Sequence, residues 1–240
     1  MSRLRVGVLV SGRGSNLQVL IEAAKDPLYP ARVVTVCANR DCPAIDLAKK
    51  AGISRDVFRL ARFADRRARD LAMARVLQQH GVELVVCAGY DAILEHAFTR
   101  QFAGRIINLH PSLLPAFAGT TDAVARALES GVAETGCTVH VVTDDVDQGP
   151  ILAQSRVEVR PDDTVETLRE RIQAQEPSAQ DVLSAQELQI ARLAAEGLSN
   201  RAIGERLYLS HRTVGTHLYR IFPKLEITSR AQLAGRLRQA

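Results

Sequence analysis

The chain has 240 residues, is 46% hydrophobic and 24% charged, and contains no tryptophan. That composition excludes fibrous, disordered and membrane-spanning classes and leaves one large soluble domain or two modest ones. No apolar run approaches the roughly 20 residues of a membrane span, and the N-terminus has no signal-peptide pattern, so a cytoplasmic protein with no membrane partner is expected. Cys37, Cys42, Cys87 and Cys137 are scattered without a C-x-x-C pair, which predicts buried free thiols and no metal site. Residues 1–177 carry 22 basic and 22 acidic side chains, whereas residues 178–240 carry 9 against 5. The whole net charge of +4 therefore sits in the last quarter and points to an anionic partner there, nucleic acid first.

In chain order, short Val- and Ile-rich runs alternate with helical patterns. Val6–Val10, Val33–Cys37, Leu84–Ala88, Ile106–Leu109 and Thr138–Val142 predict strands, mostly apolar throughout, as in a sheet covered on both faces. Leu17–Ala24, Ala44–Ala51, Arg67–His80, Ala123–Ser130 and Val165–Gln175 predict the intervening helices. Pro150–Val159 reads as a late strand beside Thr138–Val142. The pattern predicts a doubly wound, mostly parallel α/β sheet over residues 1–176. Pro177 then stops the last helix, and 177–182 forms a polar link. From 183 to 240 strand signals vanish. Ser184 with Glu187 forms a capping box for Leu188–Ala195, and Ser199, Ser210 and Thr228 cap Arg201–Leu207, Thr213–Leu225 and Ala231–Leu237. This predicts a second, small all-α domain.

Two clusters in the first part carry chemistry. Val8–Leu17 reads as strand, glycine turn and helix start, whose free N–H groups suit an anion; the same glycines also suit a tight turn without a ligand. Ile107-Asn108-Leu109-His110 puts an amide and an imidazole two apart, hence on one face, at the carboxyl end of a buried strand, where open α/β sheets bind ligands. Thr143–Pro150 adds carboxylates after another strand. Together these could form an acid–base and oxyanion set, or a structural histidine beside a loop aspartate.

These segments, SGRGSN, CAGYDAIL, NLHPSLLP, TGCTVHVVTDDVDQGPIL and RIQAQE, resemble the phosphoribosylglycinamide formyltransferase family from Arg5 to Glu176. The resemblance implies transfer of a formyl group from 10-formyltetrahydrofolate to the amine of glycinamide ribonucleotide, in purine synthesis and without a metal. It places Asn108, His110 and Asp147 on the catalytic trio, with Asp147 raising the His110 pKa and protonated His110 beside Asn108 stabilising the formyl oxygen. Gly14, Ser15 and Asn16 fall on the phosphate loop, and Gln173 and Glu176 on nucleotide-substrate contacts. Arg66, Tyr90, Asp91, Ala92, Ile93 and Leu94, together with Asn108, Thr143, Asp144, Asp145, Val146 and Asp147, fall on the folate site. The chain departs from the family at Asp91-Ala92, where many relatives carry Met-Arg, and at Pro177, where the family's last helix continues. His140 is expected to support the site, and His80 and His96 to be surface or helix-end residues.

In the last quarter, Ile203, Leu207, Val214, Leu218 and Ile221 form an apolar stripe at helical spacing, and Arg212, Thr213, His217, Arg220 and Lys224 lie opposite. Residues 183–237 resemble the LuxR-type helix-turn-helix family, through Leu183-Ser184, Glu187, Ala194–Gly197, Ser199-Asn200, Ile203-Gly204, Leu209-Ser210, Thr213-Val214, His217 and Lys224-Leu225. The resemblance implies double-stranded DNA as partner, bound as a homodimer. Thr213, Val214, His217 and Lys224 are then expected in the major groove, Arg212 and Arg220 on phosphates, and Ser199 and Asn200 at the DNA backbone. The alternative to an enzyme is a transcriptional regulator whose front domain senses a purine intermediate or folate without turnover.

Overall fold

A computed structural model describes residues 3–26, 29–175, 190–207, 209–224 and 228–233. The chain divides into two compact units, residues 1–180 and 181–240. The expected link at 177–182, Glu176, the Ser184–Glu187 capping box and the far half of the Ala231–Leu237 helix lie outside the described residues.

The first unit is built on seven strands: β1 Leu4–Val10, β2 Ala31–Ala38, β3 Ser54–Val57, β4 Leu84–Cys87, β5 Ile106–His110, β6 Glu134–Val141 and β7 Ile151–Glu158. They form one sheet in the order β3-β2-β1-β4-β5-β6-β7. The pairs from β3 through to β5 are parallel; β6 runs antiparallel to both β5 and β7. This is the mostly parallel α/β sheet that the apolar runs predict. β3 was not expected. Its sequence, Ser-Arg-Asp-Val, is polar because it lies at the edge, paired on one side only.

Among the described residues, six helices accompany the sheet: α1 Ser15–Ala23, α2 Pro43–Lys50, α3 Arg66–Gln79, α4 His96–Thr99, α5 Ala123–Glu129 and α6 Val165–Gln175. Leu9 of β1 and Val85 and Cys87 of β4 pack with Met73 and Leu77 of α3 and with Phe98 and Phe102. Val8 and Val10 are also buried, and by strand alternation they point to the opposite face, so the sheet is covered on both sides. A further cluster joins Val124 of α5, Cys137, Val157, and Leu168 and Ile172 of α6. Of the four free cysteines, Cys37, Cys87 and Cys137 are buried and Cys42 is half-buried.

Strand order reverses between β1 and β4, so the loops leaving their carboxyl ends diverge and open a crevice there. The second unit has helical residues 190–195 (α7), then α8 Asn200–Leu207 and α9 His211–Lys224. Ile190, Ala194, Ile203, Leu207, Val214, Leu218, Ile221 and Leu233 form its own core. The Ser199 hydroxyl accepts from Ala202 N–H (3.1 Å) and that of Ser210 from Thr213 N–H (3.0 Å), so both caps form as expected. The last cap shifts by one residue: Ser229, not Thr228, precedes the short helix Arg230–Gln232, whose Gln232 side chain accepts from both N–H groups.

Gly136 and Gly204 mark backbone contacts that no side chain fits. A Cβ on Gly136 would stand 1.9 Å from the Ser155 carbonyl on β7, and one on Gly204 2.4 Å from the Leu209 carbonyl across the α8–α9 turn. Gly136→Ala is expected to destabilise the first unit by about 3 kcal/mol or more, as a steric insertion into a packed core. Urea denaturation followed by circular dichroism checks this; an unchanged midpoint would contradict the packing.

Candidate active site and helix-turn-helix face

Asn108 and His110 stand on one face at the end of β5, and the antiparallel register places His140 of β6 directly opposite Asn108. Asp147 comes from the loop after β6. Its Oδ2 lies 3.4 Å from His110 Nδ1 and its Oδ1 3.4 Å from His140 Nε2. The Gly119 backbone N–H donates to the same carboxylate at 2.9 Å. Asn108 Nδ2 is 3.2 Å from His140 Nε2, whose ring Nδ1 faces the Val141 carbonyl at 3.1 Å. His110 Nε2 faces the Phe117 carbonyl at 3.1 Å. The structure thus brings the expected trio together and makes His140 a direct member.

Asp147 and Phe117 both adopt positive φ (56° and 58°), the left-handed region that costs an ordinary residue about 1–2 kcal/mol. Each of these strained residues supplies a contact to His110, the carboxylate of one and the carbonyl of the other. Sequence reasoning missed Phe117 and Gly119. Their signal is the Gly-containing segment after Pro115, but backbone groups leave no residue-type signature.

Electrostatics correct one expectation. Burial drives the His110 pKa below its ordinary value; Asp147 and the Phe117 carbonyl pull it upward but are outweighed, and His140 lowers it further. His110 therefore rests neutral near pH 7 rather than protonated. In that form Nε2–H donates to Phe117, and Nδ1 is left to take a proton on the side facing Asp147. For Asp147, burial pushes the pKa up, but His140, the Gly119 N–H and His110 together hold it below the usual carboxylate range.

The glycine turn forms the other half of the site. Gly14 (φ 84°) caps α1 with no side-chain hydrogen bond, and a Cβ there would meet Ala44 Cβ at 2.7 Å. The first N–H groups of α1 are thus left for a ligand. Gly12–Asn16, Gly89, Pro111, Arg169 and Gln173 line a cleft of about 270 Å³. Arg13 pairs with Glu166 at 2.8 Å across exposed side chains.

The expected folate segments flank Asp147. Asp65 caps α3 by accepting from Ala68 N–H (2.7 Å). On α3, Arg66 pairs with Glu95 at 3.1 Å, and buried Asp70 accepts from the Glu95 N–H at 2.8 Å while receiving Arg69. These contacts fix the Tyr90–Leu94 segment at its far end. The Asp91 carboxylate is taken up by Arg40 and by Asn39 (2.9 Å), and its N–H donates to Ser11 Oγ at 3.0 Å. Asp91 thus has partners at the ends of β2 and β1. Ile93 (58% exposed) and Val146 (45%) present apolar side chains, one on each segment. Tyr90, Ala92 and Leu94 are half-buried, Asp145 is exposed, and Thr143 Oγ1 donates to the Asp145 carbonyl at 3.1 Å.

Residues 4–182 match the formyl transferase family. The chain belongs to that family. Phosphoribosylglycinamide formyltransferase of Mycobacterium tuberculosis is 47% identical over 172 residues, covering 72% of this chain and 79% of that protein. Glycinamide ribonucleotide transformylase 1 of Symbiobacterium toebii superposes with a TM-score of 0.71 at 42% identity, over 81% of this chain and 89% of that one. The trifunctional purine biosynthetic protein adenosine-3 of Bos taurus is 43% identical over 188 residues, and there the chain spans only 18% of its relative's length. Residues 181–237 match the luxR family of bacterial regulatory proteins.

In this luxR-type region the structure alters the expected groove face. Val214 is 0% exposed and packs in the helical core, so it does not present its side chain to a base. Among the described side chains of α9, His211, Arg212, Thr216 and Tyr219 (74% exposed) are exposed, and Thr213 and His217 are half-buried. Ser199 is engaged as a helix cap, and Asn200 Oδ1 accepts from Arg230 at 2.6 Å, so both side chains already serve the fold. The side chains of Arg220 and Lys224 lie outside the described residues.

Acid should act on the formyltransferase unit in two stages. With its pKa lowered in the folded state, His110 is protonated first in the unfolded chain, so stability falls as pH drops below about 6.5 toward the folded value. Asp147, also lowered, contributes stability above its unfolded pKa near 3.8 that is lost as pH falls through the folded value. Urea midpoints of the unit between pH 7.5 and 5 should decline in the wild type and decline less in His110→Gln. Parallel slopes would contradict this.

Proposed function

We propose that the first unit transfers a formyl group from 10-formyltetrahydrofolate to the amine of glycinamide ribonucleotide. The observation that carries this is Asp147, held between two buried imidazoles beside Asn108, while Leu109 and Pro111 on either side of His110 line the cleft that faces the first turn of α1. The phosphate of the nucleotide fits the free N–H groups of Gly14–Asn16, with Gln173 on the facing helix. The folate fits between the Tyr90–Leu94 and Thr143–Asp147 segments, where Ile93 and Val146 offer uncovered apolar surface to an aromatic ring. Glu176 belongs to the same proposed nucleotide contacts and lies outside the described residues.

The substrate amine attacks the formyl carbon, and the carbonyl electrons move onto its oxygen. Asn108, with Nδ2 3.2 Å from His140 Nε2, offers an amide N–H to that oxyanion. Neutral His110 takes the amine proton on Nδ1, and the ionised Asp147 beside it stabilises the imidazolium that results. Collapse of the tetrahedral intermediate re-forms the carbonyl and breaks the bond to folate N10, which leaves as the amine on receiving the proton. His140 holds Asp147 and Asn108 in register rather than meeting the substrate.

The helical unit supports binding to double-stranded DNA through α9. Arg212 and Tyr219 lie one helical face apart from the buried Val214–Leu218 stripe, on exposed surface. A homodimer on DNA and a cytoplasmic location complete the reading. Among the described residues no helix is long and apolar enough to cross a membrane.

Two experiments test these readings. Purified full-length protein supplied with both substrates should release tetrahydrofolate, and Asp147→Asn or His110→Ala should lower kcat by about 10²–10³ with the fold intact. Retained turnover in folded variants would remove their assigned roles, and a wild type that binds the nucleotide without turnover would make the unit a sensor. In gel-shift titrations at two salt concentrations, Arg212→Gln should weaken duplex binding and reduce the log–log salt slope by about 1. An unchanged slope would take Arg212 off the phosphates.

A further inference from the structure

His96 was expected to be a surface or helix-end residue, and it is solvent-exposed at the first turn of α4. Its ring is nevertheless engaged. His96 Nδ1 lies 2.6 Å from Asp144 Oδ1, and the buried Thr99, one turn on, donates its hydroxyl to the same oxygen at 2.7 Å. These two contacts, with Arg100 nearby, hold the Asp144 carboxyl below the usual carboxylate range, so it stays ionised.

Asp144 stands three residues before Asp147 in a loop whose other anchors are the contacts of Asp147 with His110, His140 and the Gly119 N–H. Inside it, Thr143 and Gln148 bond only to Asp145, and Asp145 and Val146 are exposed. At its far end Gly149 is pressed against the Val141 carbonyl, where a Cβ would come within 1.8 Å. Between these points the loop must hold Asp147 in a left-handed conformation, which it does not adopt for nothing. On the other side, residue 95 is gripped by Arg66 and Asp70 of α3. The contacts therefore form a chain from α3 through residues 95–99 to Asp144 and on to Asp147.

We propose that His96 and Thr99 are positioning residues: by fixing Asp144 they set the loop that presents Asp147 to His110 and hold the two folate-lining segments at one spacing. Neither touches the reacting atoms. The proposal rests on the formyl-transfer reading above. Its expected signature is selective, because the contact borders the folate segments and not the glycine turn that faces the nucleotide phosphate.

Steady-state kinetics on the full chain test it with His96→Ala, His96→Asn and Thr99→Val, each checked for an unchanged thermal midpoint. His96→Ala and Thr99→Val should each lower kcat and raise KM for 10-formyltetrahydrofolate, together costing about tenfold in kcat/KM, while KM for glycinamide ribonucleotide stays put. His96→Asn, whose Nδ2–H can stand where the imidazole Nδ1–H stood, should recover most of the loss. Unchanged parameters in His96→Ala, no recovery in His96→Asn, or an equal rise in both KM values would each overturn the assignment. If His96→Ala fails to fold, Thr99→Val and His96→Asn carry the same comparison. Should the wild type not transfer formyl, that reading of the unit fails, and tetrahydrofolate affinity by calorimetry becomes the readout. Weaker binding in Thr99→Val and His96→Ala with recovery in His96→Asn then upholds the positioning role; equal affinities, or no binding by the wild type, overturn it.

Discussion

The Asp147 carboxylate organises the rest of the site. Taking a charge into a nearly closed pocket costs several kcal/mol unless it is met by donors and opposite charge. Here a backbone N–H from Gly119 and imidazoles from two strands converge on it, and the backbone at Asp147 is held at positive φ to reach them. Each partner is thereby fixed in turn: His140 holds Asn108, and His110 is anchored on its other nitrogen by Phe117. The proposed catalytic residues are thus oriented by one buried charge, and that charge is tolerated because all of them are present.

The sheet makes this convergence possible. Two β5 residues on one face and their antiparallel neighbour on β6 deliver an amide and two imidazoles, while the reversal between β1 and β4 opens room beside them. The glycine turn after β1 and α6, from the far end of the unit, then close the cleft. The helical unit follows the opposite logic. Its core consumes every apolar residue of the α9 stripe, Val214 included, and what remains outside is the polar surface available to a partner.

Much of this was legible in the residues. Apolar runs with helical patterns between them located six of the seven strands, and the Asn-x-His pair located the site, because both rest on short-range periodicity. β3 and α4 escaped because an edge strand needs no apolar alternation and a four-residue helix shows no period. The protonation of His110 also escaped, since burial is a property of the packed fold and the neighbouring carboxylate alone suggests the opposite sign. Val214 shows a related limit. A motif match assigns it to the groove and periodicity assigns it to the core; the packed helices decide for the core. His96 looked like an ordinary surface histidine, because its partner lies 48 residues away in a loop that only the tertiary fold brings near.

The pairing of Asn108 with His140 across β5 and β6 bears on how the protein comes into being. Helices α1 to α3 and strands β1 to β4 can assemble from parts of the chain made first. The cluster of Asn108, His110, His140 and Asp147 then needs β6 to return antiparallel on β5, and Arg13 must meet a helix 153 residues further on. A contact that spans 153 residues closes late and slowly, since its entropy cost falls before it gives any return. A nascent or partly folded chain can therefore hold most of its sheet and have no pocket at all. Ligand affinity in this unit reports the last steps of folding, and substrate in the cell would favour the finished chain over its near-complete precursors.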